Sequence, residues 1–525
     1  PEPVQGGIYI EALVGSFQRL NPILDFYNSV DRDVDRLLYC RMLRFDERGL
    51  PQPELVESYG YTQDGTIYNF TLLSGAKWHD GEPVTSYDIA FTIDLIKNGG
   101  LTIPVDLQKF WQNVEVRPLN ETNLQFKLPE PFAPFLDYLT FGILPEHILG
   151  GLTYEQIVDA KFNLQPIGCG PFKFSQLIVE NEKINGVELT LNENYFGKKA
   201  YIEKIIFLYF PTSENAFQAY LDGMVQGISF ISPDILPMAL QQGDLGLYSV
   251  RSPEISMIFL NLQNPEVPFF IDKTVRESLM MGINRQWIVD QLLNGQAVVT
   301  DSPILPGVWA YYDGFDPIAY DPELARKKLK EAGYVVSTGV EGVREKDGVQ
   351  ITFTLLYPDT ERHQKIAEAI QKYWENLNIE VTIESVPYDQ LINERLAQRD
   401  YQAALVDINL ASSPDPDPYP FWDQVQATTG QNYSQWDNKM ASEYLEQARV
   451  TLDIGERERL YHNFQVIFHQ ELPSLPLYFP VYTYAIDREV RGVQVGPLFE
   501  TSDRFLNISQ WYLESRLPQT EENAE

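Results

Sequence analysis

The first half of the chain carries short strand patterns followed by a capped helix. Residues 67–72 alternate apolar and polar side chains, which is typical of a half-buried strand. Thr85 followed by Asp88 forms a capping box, and isoleucines at helical spacing continue to the glycines at 99 and 100. These patterns predict a compact α+β lobe early in the chain.

The second half has a different pattern, in which strands and helices alternate. Residues 321–323, Asp-Pro-Glu, supply an N-cap, a proline and an acid for the first turn of a helix that Gly333 closes. The following segments are a strand at 351–356, a helix at 366–377, a strand at 380–383, a short helix at 391–396, a strand at 403–406, helices at 440–452 and 456–471, and an extended apolar link at 472–477. This alternation predicts parallel βαβ units with helices on both faces of the sheet.

The last strand of this series ends at Asp407, which is the most informative position of the second half. In open α/β sheets, ligands bind beyond the carboxyl ends of the strands. Residues 408–422 then include four prolines, which stiffen the loop and remove backbone donors. We therefore expect a shaped loop beside a ligand crevice, with Asp407 facing a cationic or hydroxyl group.

Composition narrows the class of protein. At roughly 150 residues per domain, 525 residues predict about three structural units. Lys plus Arg number 40 and Asp plus Glu number 74, so the net charge is −34. Nucleic acid is a poor partner for such a surface, because its binding relies on Lys and Arg replacing counterions. No apolar stretch approaches the roughly 18 residues of a membrane span.

The amino-terminal residues and the cysteines say little about export. The first residues have neither a charged n-region nor an apolar h-region, so we expect any signal peptide to have been removed or left out. Cys40 and Cys169 lie far apart in sequence, and two cysteines build neither a disulfide framework nor a zinc site. One bridge remains formally possible, but we expect two unpaired thiols.

Catalytic signatures are missing from the sequence. The five histidines form no HExxH pair, and the nucleotide-binding and serine-hydrolase motifs do not occur. An acidic cluster, Asp407, Asp415, Asp417 and Asp423, lacks the glycine and final glutamate of a calcium loop. Turn-forming Asp-Pro dipeptides account for Asp415 and Asp417. A hydrolase using a carboxylate pair from this cluster is the rival from another class.

Aromatic residues are frequent near the expected crevice. They are Trp309, Tyr311, Tyr312, Tyr357, Tyr419, Trp422, Tyr433 and Trp436. Such rings grip sugar faces, apolar side chains or cations. Most aromatic residues nevertheless belong to cores and interfaces, so we expect a minority to contact ligand.

Several separated segments together resemble one family. They lie at 53–58, 77–85, 167–174, 191–197, 275–279, 283–285, 320–322, 331–333 and 472–478. In this order they resemble the extracellular solute-binding proteins of family 5, the dipeptide- and oligopeptide-binding class that feeds ABC importers. Each segment alone is weak, whereas the ordered set covers nearly the whole chain.

The resemblance implies an α/β fold, a two-lobe clamp of the type II periplasmic-binding-protein kind with an extra amino-terminal α+β subdomain. The implied division is lobe I at 1–40, 165–255 and 480–525, the extra subdomain at 41–164, and lobe II at 256–479. It also implies hinge closure around the ligand.

The resemblance further implies a set of ligand-binding residues. Peptide binders of the family hold the ligand's ammonium with a lobe II aspartate, and Asp407 is the position that matches it best. The full expected set is Phe17, Gln18, Asn261, Tyr357, Asp407, Asn409, Asp415, Trp422, Tyr433 and Trp436.

The implied function is the substrate-binding component of an ABC importer, which captures a short peptide or similar solute and delivers it to the permease. Asp407 favours a ligand ammonium, whereas the Trp and Tyr content suits an oligosaccharide, so both ligands stay open. We expect no enzymatic activity, cofactor or metal, and a monomer that binds no nucleic acid. The expected location is extracytoplasmic, in the periplasm or as a cell-surface lipoprotein whose anchor is not in this chain.

Overall fold

The computed structural model describes residues 3–336, 342–410 and 415–513. The chain forms two compact units, which we call unit 1 (Pro1–Val250 with Tyr482–Glu525) and unit 2 (Arg251–Val481). The sequence-based boundaries of lobe II, 256 and 479, lie a few residues inside those of unit 2. The further division of lobe I at 41–164 stays a prediction.

The elements of unit 1 before the first crossing alternate along the chain. The strands are β1 (Ile8–Val14), β2 (Leu43–Phe45), β3 (Pro51–Pro53), β4 (Val56–Tyr61), β5 (Ile67–Leu72), β6 (Glu115–Pro118), β7 (Asn123–Lys127), β8 (Phe172–Glu180), β9 (Lys183–Leu191), β10 (Lys204–Phe210), β11 (Gly227–Ile228) and β12 (Leu245–Arg251). The helices are α1 (Ser29–Leu38), α2 (Ser86–Lys97), α3 (Val105–Gln112), α4 (Glu146–Leu149), α5 (Tyr154–Val158), α6 (Ser213–Leu221) and α7 (Leu236–Ala239).

Unit 2 and the return of the chain to unit 1 supply the remaining elements. The strands are β13 (Glu254–Leu260), β14 (Ala297–Val299), β15 (Val335–Val336), β16 (Arg344–Lys346), β17 (Val349–Gln350), β18 (Thr352–Pro358), β19 (Glu380–Val386), β20 (Ala403–Asn409), β21 (Ser474–Asp487), β22 (Val490–Arg491) and β23 (Tyr512–Leu513). The helices are α8 (Lys273–Gly282), α9 (Arg285–Leu292), α10 (Pro322–Glu331), α11 (Glu361–Glu375), α12 (Tyr388–Gln390), α13 (Tyr419–Trp422), α14 (Gln426–Thr429), α15 (Lys439–Val450) and α16 (Ile454–Glu471). Short 3₁₀ turns lie at Ala133–Leu139, Lys161–Leu164, Pro268–Ile271, Thr501–Phe505 and Ile508–Gln510, and a π-turn at Leu391–Leu396.

Unit 1 contains a mixed sheet and a separate antiparallel sheet. The mixed sheet has the order β11-β1-β10-β9-β8, with β1 parallel to both of its neighbours. The antiparallel sheet has the order β4-β5-β7-β6, and Tyr68 of β5 pairs with Phe126 of β7. The predicted strand at 67–72 is therefore confirmed, since β5 buries its apolar face as the alternation requires.

The sheet of unit 2 has the order β19-β18-β20-β13-β21, with β14 also on β21. Strand β18 is parallel to β19 and to β20, which confirms the predicted βαβ units. Strand β13 is antiparallel to both β20 and β21, so the sheet as a whole is mixed. The parallel prediction holds only where helices such as α11 connect consecutive strands, because a crossover connection is what makes neighbours parallel.

A buried arginine fixes the end of the longest described helix. The last turn of a helix leaves carbonyl groups without helical partners. Arg276 of α8 donates to the carbonyls of Glu471 and Leu472 at the end of α16, and also to Phe270 and Ile271. Its side chain is 4 % exposed. One guanidinium thus joins α8, the end of α16 and a 3₁₀ turn.

The two cysteines form a disulfide, so the expectation of unpaired thiols is wrong. The Cα atoms of Cys40 and Cys169 are 5.0 Å apart, although 129 residues separate them in sequence. Glycines beside Cys169 permit this approach, since a Cβ on Gly168 would lie 1.9 Å from the carbonyl oxygen of Leu38 and one on Gly170 would clash similarly. The separation of the two cysteines in sequence does not predict that they are close in space, because their distance depends on how α1 packs.

Helix α1 turns its aspartates into the interior of unit 1. Asp31, Asp33 and Asp35 are all nearly fully buried. Asp33 is ion-paired with Arg504 at 2.9 Å. Burial first, and then the charges of Asp25 and Asp31, raise the pKa of Asp35 well above its ordinary value. Val30, Val34, Leu37 and Leu38 of the same helix are buried as well, so α1 is enclosed on most of its sides.

No helix among the described residues combines the length and apolar character needed to cross a bilayer.

Candidate ligand-binding site

The polar residues of the central strands of unit 2 share one face of the sheet. Ser256 of β13 pairs with Asp407 of β20 on one side and with Tyr478 of β21 on the other. In the next row, Glu254 pairs with Asn409. Side chains two apart on a strand, and those directly opposite on its neighbour, point to the same side. The sequence therefore builds a polar patch at the carboxyl end of β20.

Asp407 is the centre of this patch. Its Oδ1 accepts a hydrogen bond of 2.5 Å from Ser256, and its Oδ2 lies 2.8 Å from Nε2 of His363 and 2.9 Å from Nη2 of Arg362. The carboxylate side chain is 13 % exposed. A mostly buried charge of this kind requires such partners, since desolvation otherwise opposes ionisation.

The first turn of α11 delivers the two basic partners. Strand β18 ends beside β20, and Thr360 caps the following helix by accepting the backbone N–H of His363. Nδ1 of the His363 ring lies 2.6 Å from Oγ1 of the same threonine, which orients Nε2 toward Asp407. Arg362 occupies the preceding position. The dipole of α11 disfavours a positive charge at the amino-terminal end of the helix. The negative charge of Asp407 compensates for this effect on Arg362.

The two carboxyl groups of the patch have opposite electrostatic environments. Burial by itself raises the pKa of Asp407, but the hydrogen bond and charge of His363, then Ser256 and Arg362, outweigh it and hold that pKa below its ordinary value. For Glu254, burial and then the charge of Asp407 raise the pKa to about 7, against the opposing effect of Arg362 and His363. Asp407 is therefore the ionised member at neutral pH.

Four other predicted ligand residues have accessible, loop or strand-end positions. Asn409 is exposed and is the last residue of β20. Phe17 and Gln18 lie in unit 1, in the loop after β1, where the backbone N–H of Gln18 donates to Asp31. Tyr357 lies near the end of β18 and is 7 % exposed. Their contact with ligand stays a prediction.

Five other predicted residues have structural partners inside unit 2. Asn261 donates to the carbonyls of Arg399 and Tyr401. Asp415 is buried in an ion pair of 2.6 Å with Arg457. The aromatic members of the group are Trp422 and Trp436, which pack on Phe468, and Tyr433, which packs on Phe259. These contacts give each of the five residues a structural role, so a ligand is not needed to explain their positions.

Sequence reasoning missed the four partners of Asp407. Ser256 and Glu254 lie in an apolar strand, where a polar residue at alternate positions marks one face. Arg362 and His363 follow an N-cap threonine directly after a strand. That signal was available, because a helix that starts after β18 begins beside the carboxyl ends of its parallel neighbours.

The family described as bacterial extracellular solute-binding proteins, family 5 Middle, matches residues 51–456. The chain belongs to this family.

Individual members of family 5 resemble the chain over nearly its whole length. The oligopeptide-binding protein AppA of Bacillus subtilis (strain 168) is 26 % identical over 525 residues, which cover 98 % of this chain and 92 % of that protein. The dipeptide-binding protein of Escherichia coli (strain K12) is 24 % identical, and the match covers 96 % of this chain and 95 % of that protein. The match to the structure of HbpA2 from Haemophilus parasuis covers 97 % of this chain and 100 % of the HbpA2 chain, with a TM-score of 0.84 at 21 % identity.

Membership in family 5 confirms the sequence-based resemblance and the two-lobe periplasmic-binding-protein fold. Proteins of this family are extracytoplasmic receptors that supply substrates to ABC importers. They are transport receptors and not enzymes, so the prediction of a non-enzymatic role is confirmed.

The hydrolase alternative is accordingly wrong, and the structure shows what its carboxylates do. Asp417 accepts two hydrogen bonds of 2.9 Å from Arg449, and Asp415 pairs with Arg457. Both aspartates anchor the chain after the proline-rich loop to helices α15 and α16. Residues 411–414 of that loop lie outside the described residues.

Proposed function

We propose that this family 5 protein is the receptor of an importer for short peptides, and that Asp407 holds the ammonium group of the ligand. The observation that carries the proposal is a carboxylate kept ionised at the carboxyl end of a sheet strand, where α/β proteins bind ligands. A charge-assisted hydrogen bond from an ammonium to such a carboxylate is both strong and selective. The names of the two relatives, an oligopeptide- and a dipeptide-binding protein, support the same ligand class.

Neighbouring residues extend the proposed site. Asn409 and Tyr357 flank Asp407 on β20 and β18, and we propose that they contact the peptide beyond its amino terminus. Phe17 and Gln18 of unit 1 belong to the same proposal through the family resemblance.

The oligosaccharide alternative has lost part of its support. It relied on aromatic rings for stacking, and Trp422, Trp436 and Tyr433 are packed against other aromatic residues within unit 2. Peptide is therefore the favoured ligand, and sugar binding is an outcome that the experiment below distinguishes.

Calorimetry with alanine peptides of increasing length, each with a free or an acetylated amino terminus, tests the proposal. We expect the free peptides to bind and Asp407→Asn to weaken them about 10- to 100-fold, which corresponds to one charged hydrogen bond. Asp290→Asn, an exposed carboxylate of α9 in the same unit, is the matched control and should leave affinity unchanged.

Circular dichroism of Asp407→Asn separates a lost contact from a misfolded unit. Binding of maltooligosaccharides but of no peptide would replace the proposal with the sugar alternative. Failure of both panels would contradict the ligand assignment altogether.

The remaining expectations concern partners and location. We propose an ABC permease as the protein partner, in line with the family. The disulfide supports an oxidising, extracytoplasmic location, since such bridges are rare in the cytosol. A lipid anchor and a monomeric state stay predictions.

A further inference from the structure

The three side chains that donate to the Asp407 carboxylate differ in how easily they can be replaced. Ser256 is fully buried, and the His363 side chain is 7 % exposed. Arg362 is 48 % exposed and reaches the carboxylate from the end of a long flexible side chain. A solute that approaches from water therefore meets Arg362 first, and this is the partner that can move away.

Glu254 adds a second carboxyl group beside the first. It starts β13, and its pair Asn409 lies two residues beyond Asp407 on β20, so both carboxyl groups lie on one face of the sheet. The charges that act on Glu254 come from Asp407, Arg362 and His363. The charge of Glu254 also acts on the hydroxyl groups of Tyr388 and Tyr478, whose pKa values are raised first by burial.

We infer that Glu254 and Asp407 form one two-carboxylate subsite, in which Arg362 is an internal cation that the ammonium group of a ligand replaces. The inference rests on the proposed function and deepens it, because it specifies how this site selects a cationic group.

Exchange of one cation for another keeps the buried charge compensated. Removing a partner from a buried charge is costly when nothing takes its place. An incoming ammonium takes the place of the guanidinium at Asp407, and Arg362 passes into water and away from the amino-terminal end of the α11 dipole. A neutral ligand group offers no such compensation, so it leaves Arg362 in place.

The exchange is linked to protons through Glu254. Because its pKa is raised to about 7, part of the population carries a proton in the free protein near neutral pH. Arg362 is paired with Asp407, whereas a ligand ammonium between the two carboxylates contacts Glu254 as well, so it lowers the pKa of Glu254 in the complex. Binding therefore releases a proton, and affinity for the cation rises with pH between about 6 and 7, where a peptide amine is still mostly protonated.

Calorimetry of trialanine in two buffers with different enthalpies of ionisation measures this proton directly. At pH 6.5 we expect the wild-type protein to release about 0.7 proton per bound peptide. Glu254→Gln should abolish the release while peptide is still bound. Glu384→Gln is the matched control, since Glu384 is also paired with an arginine, on β19, and it should release as much as wild type.

The Arg362→Gln variant tests the internal cation. Without its competitor, trialanine should bind about 2- to 5-fold more tightly, which corresponds to the contribution of a partly exposed ion pair. N-acetyl-trialanine should show no such gain. Weaker binding of trialanine to Arg362→Gln would overturn the inference, because it would make Arg362 a contact of the ligand.

Different experimental outcomes would contradict the two-carboxylate subsite and the proposed function. Proton release that persists in Glu254→Gln, or is absent from the wild type, overturns the two-carboxylate subsite. Equal binding of trialanine and its acetylated form overturns the subsite but leaves a peptide receptor. No binding of any peptide overturns the proposed function as well.

Discussion

A single buried carboxyl group can lower the free energy of unfolding by more than most individual contacts raise it. Burial and the charges of two neighbouring aspartates raise the pKa of Asp35 well above its ordinary value in the native state. In the unfolded chain at pH 7 the same group is ionised. Folding therefore favours protonation of Asp35, and this linkage disfavours the native state as the pH rises above about 4.

Replacing Asp35 with asparagine should stabilise the protein. The amide has nearly the same shape and never ionises, so the proton uptake disappears. We expect the free energy of unfolding in urea to rise at pH 7, by at most about 4 kcal/mol, and to be unchanged at pH 4.

Asp94→Asn provides the control for this experiment. Asp94 is an exposed residue of α2, and its replacement should change stability by less than about 0.5 kcal/mol at both pH values. An Asp35→Asn protein less stable than wild type at pH 7 would mean that the native state uses the negative charge.

The candidate site shows how much of a binding site a single sequence position can predict. The sequence pattern predicts that the strand ends at Asp407, whereas in the structure β20 continues for two more residues, to Asn409. The sequence also places Arg362 and His363 at the start of a helix that follows a neighbouring strand, but their contact with Asp407 depends on how α11 packs beside β20. A local pattern shows where a side chain starts but not which distant side chain meets it.

Among the elements, α16 depends on a residue far from it in sequence. Arg276 lies almost two hundred residues earlier and satisfies the carbonyls at the end of that helix. A planar guanidinium reaches several carbonyl groups at once, whereas an ammonium cannot reproduce this fork.

The Arg276→Lys variant should therefore lose stability although it keeps the charge. We expect a loss of about 2–4 kcal/mol in the free energy of unfolding, because several buried carbonyls lose their donors. Urea unfolding followed by tryptophan fluorescence measures it. Arg459→Lys, an exposed residue of α16 paired with Glu456, is the control and should change little. Equal small effects in both variants would show that the fork is dispensable.

The elements themselves were largely predictable, for reasons visible in particular segments. The alternation at 67–72 matched β5, and the N-cap signals at Asp321 and Thr85 matched the starts of α10 and α2. The direction of β13 was not predictable, because its neighbours β20 and β21 are joined to it through long stretches of chain. Local periodicity carries no information on such pairings.

At the scale of the whole molecule, several buried acids make stability depend on pH. Burial raises the pKa of Asp31 and of Glu54 to about 7. Both groups bind protons in the native state that the unfolded chain has already released. Their stabilising contribution is complete below about pH 4 and is lost as the pH rises through 7. Burial lowers the pKa of His79 to about 4, so that residue adds nothing above pH 6.5.

We expect the free energy of unfolding to fall by about 3 kcal/mol between pH 6.5 and pH 8.5, because four buried acids have pKa values raised to about 7, namely Asp25, Asp31, Glu54 and Glu254. Glu54→Gln should remove about a quarter of this fall. Added salt should not remove it, since salt screens surface charge but hardly reaches buried groups. A fall that vanishes in salt would instead assign the effect to repulsion within a molecule of net charge −34.

The bridge between Cys40 and Cys169 has a consequence for biosynthesis. During translation at roughly 5–20 residues per second, the first thiol emerges about 6 to 26 seconds before the second. Throughout this delay it has no partner within these 525 residues, which contain only two cysteines. The two thiols can form only one bridge with each other, so any other pairing has to involve a cysteine from outside this sequence.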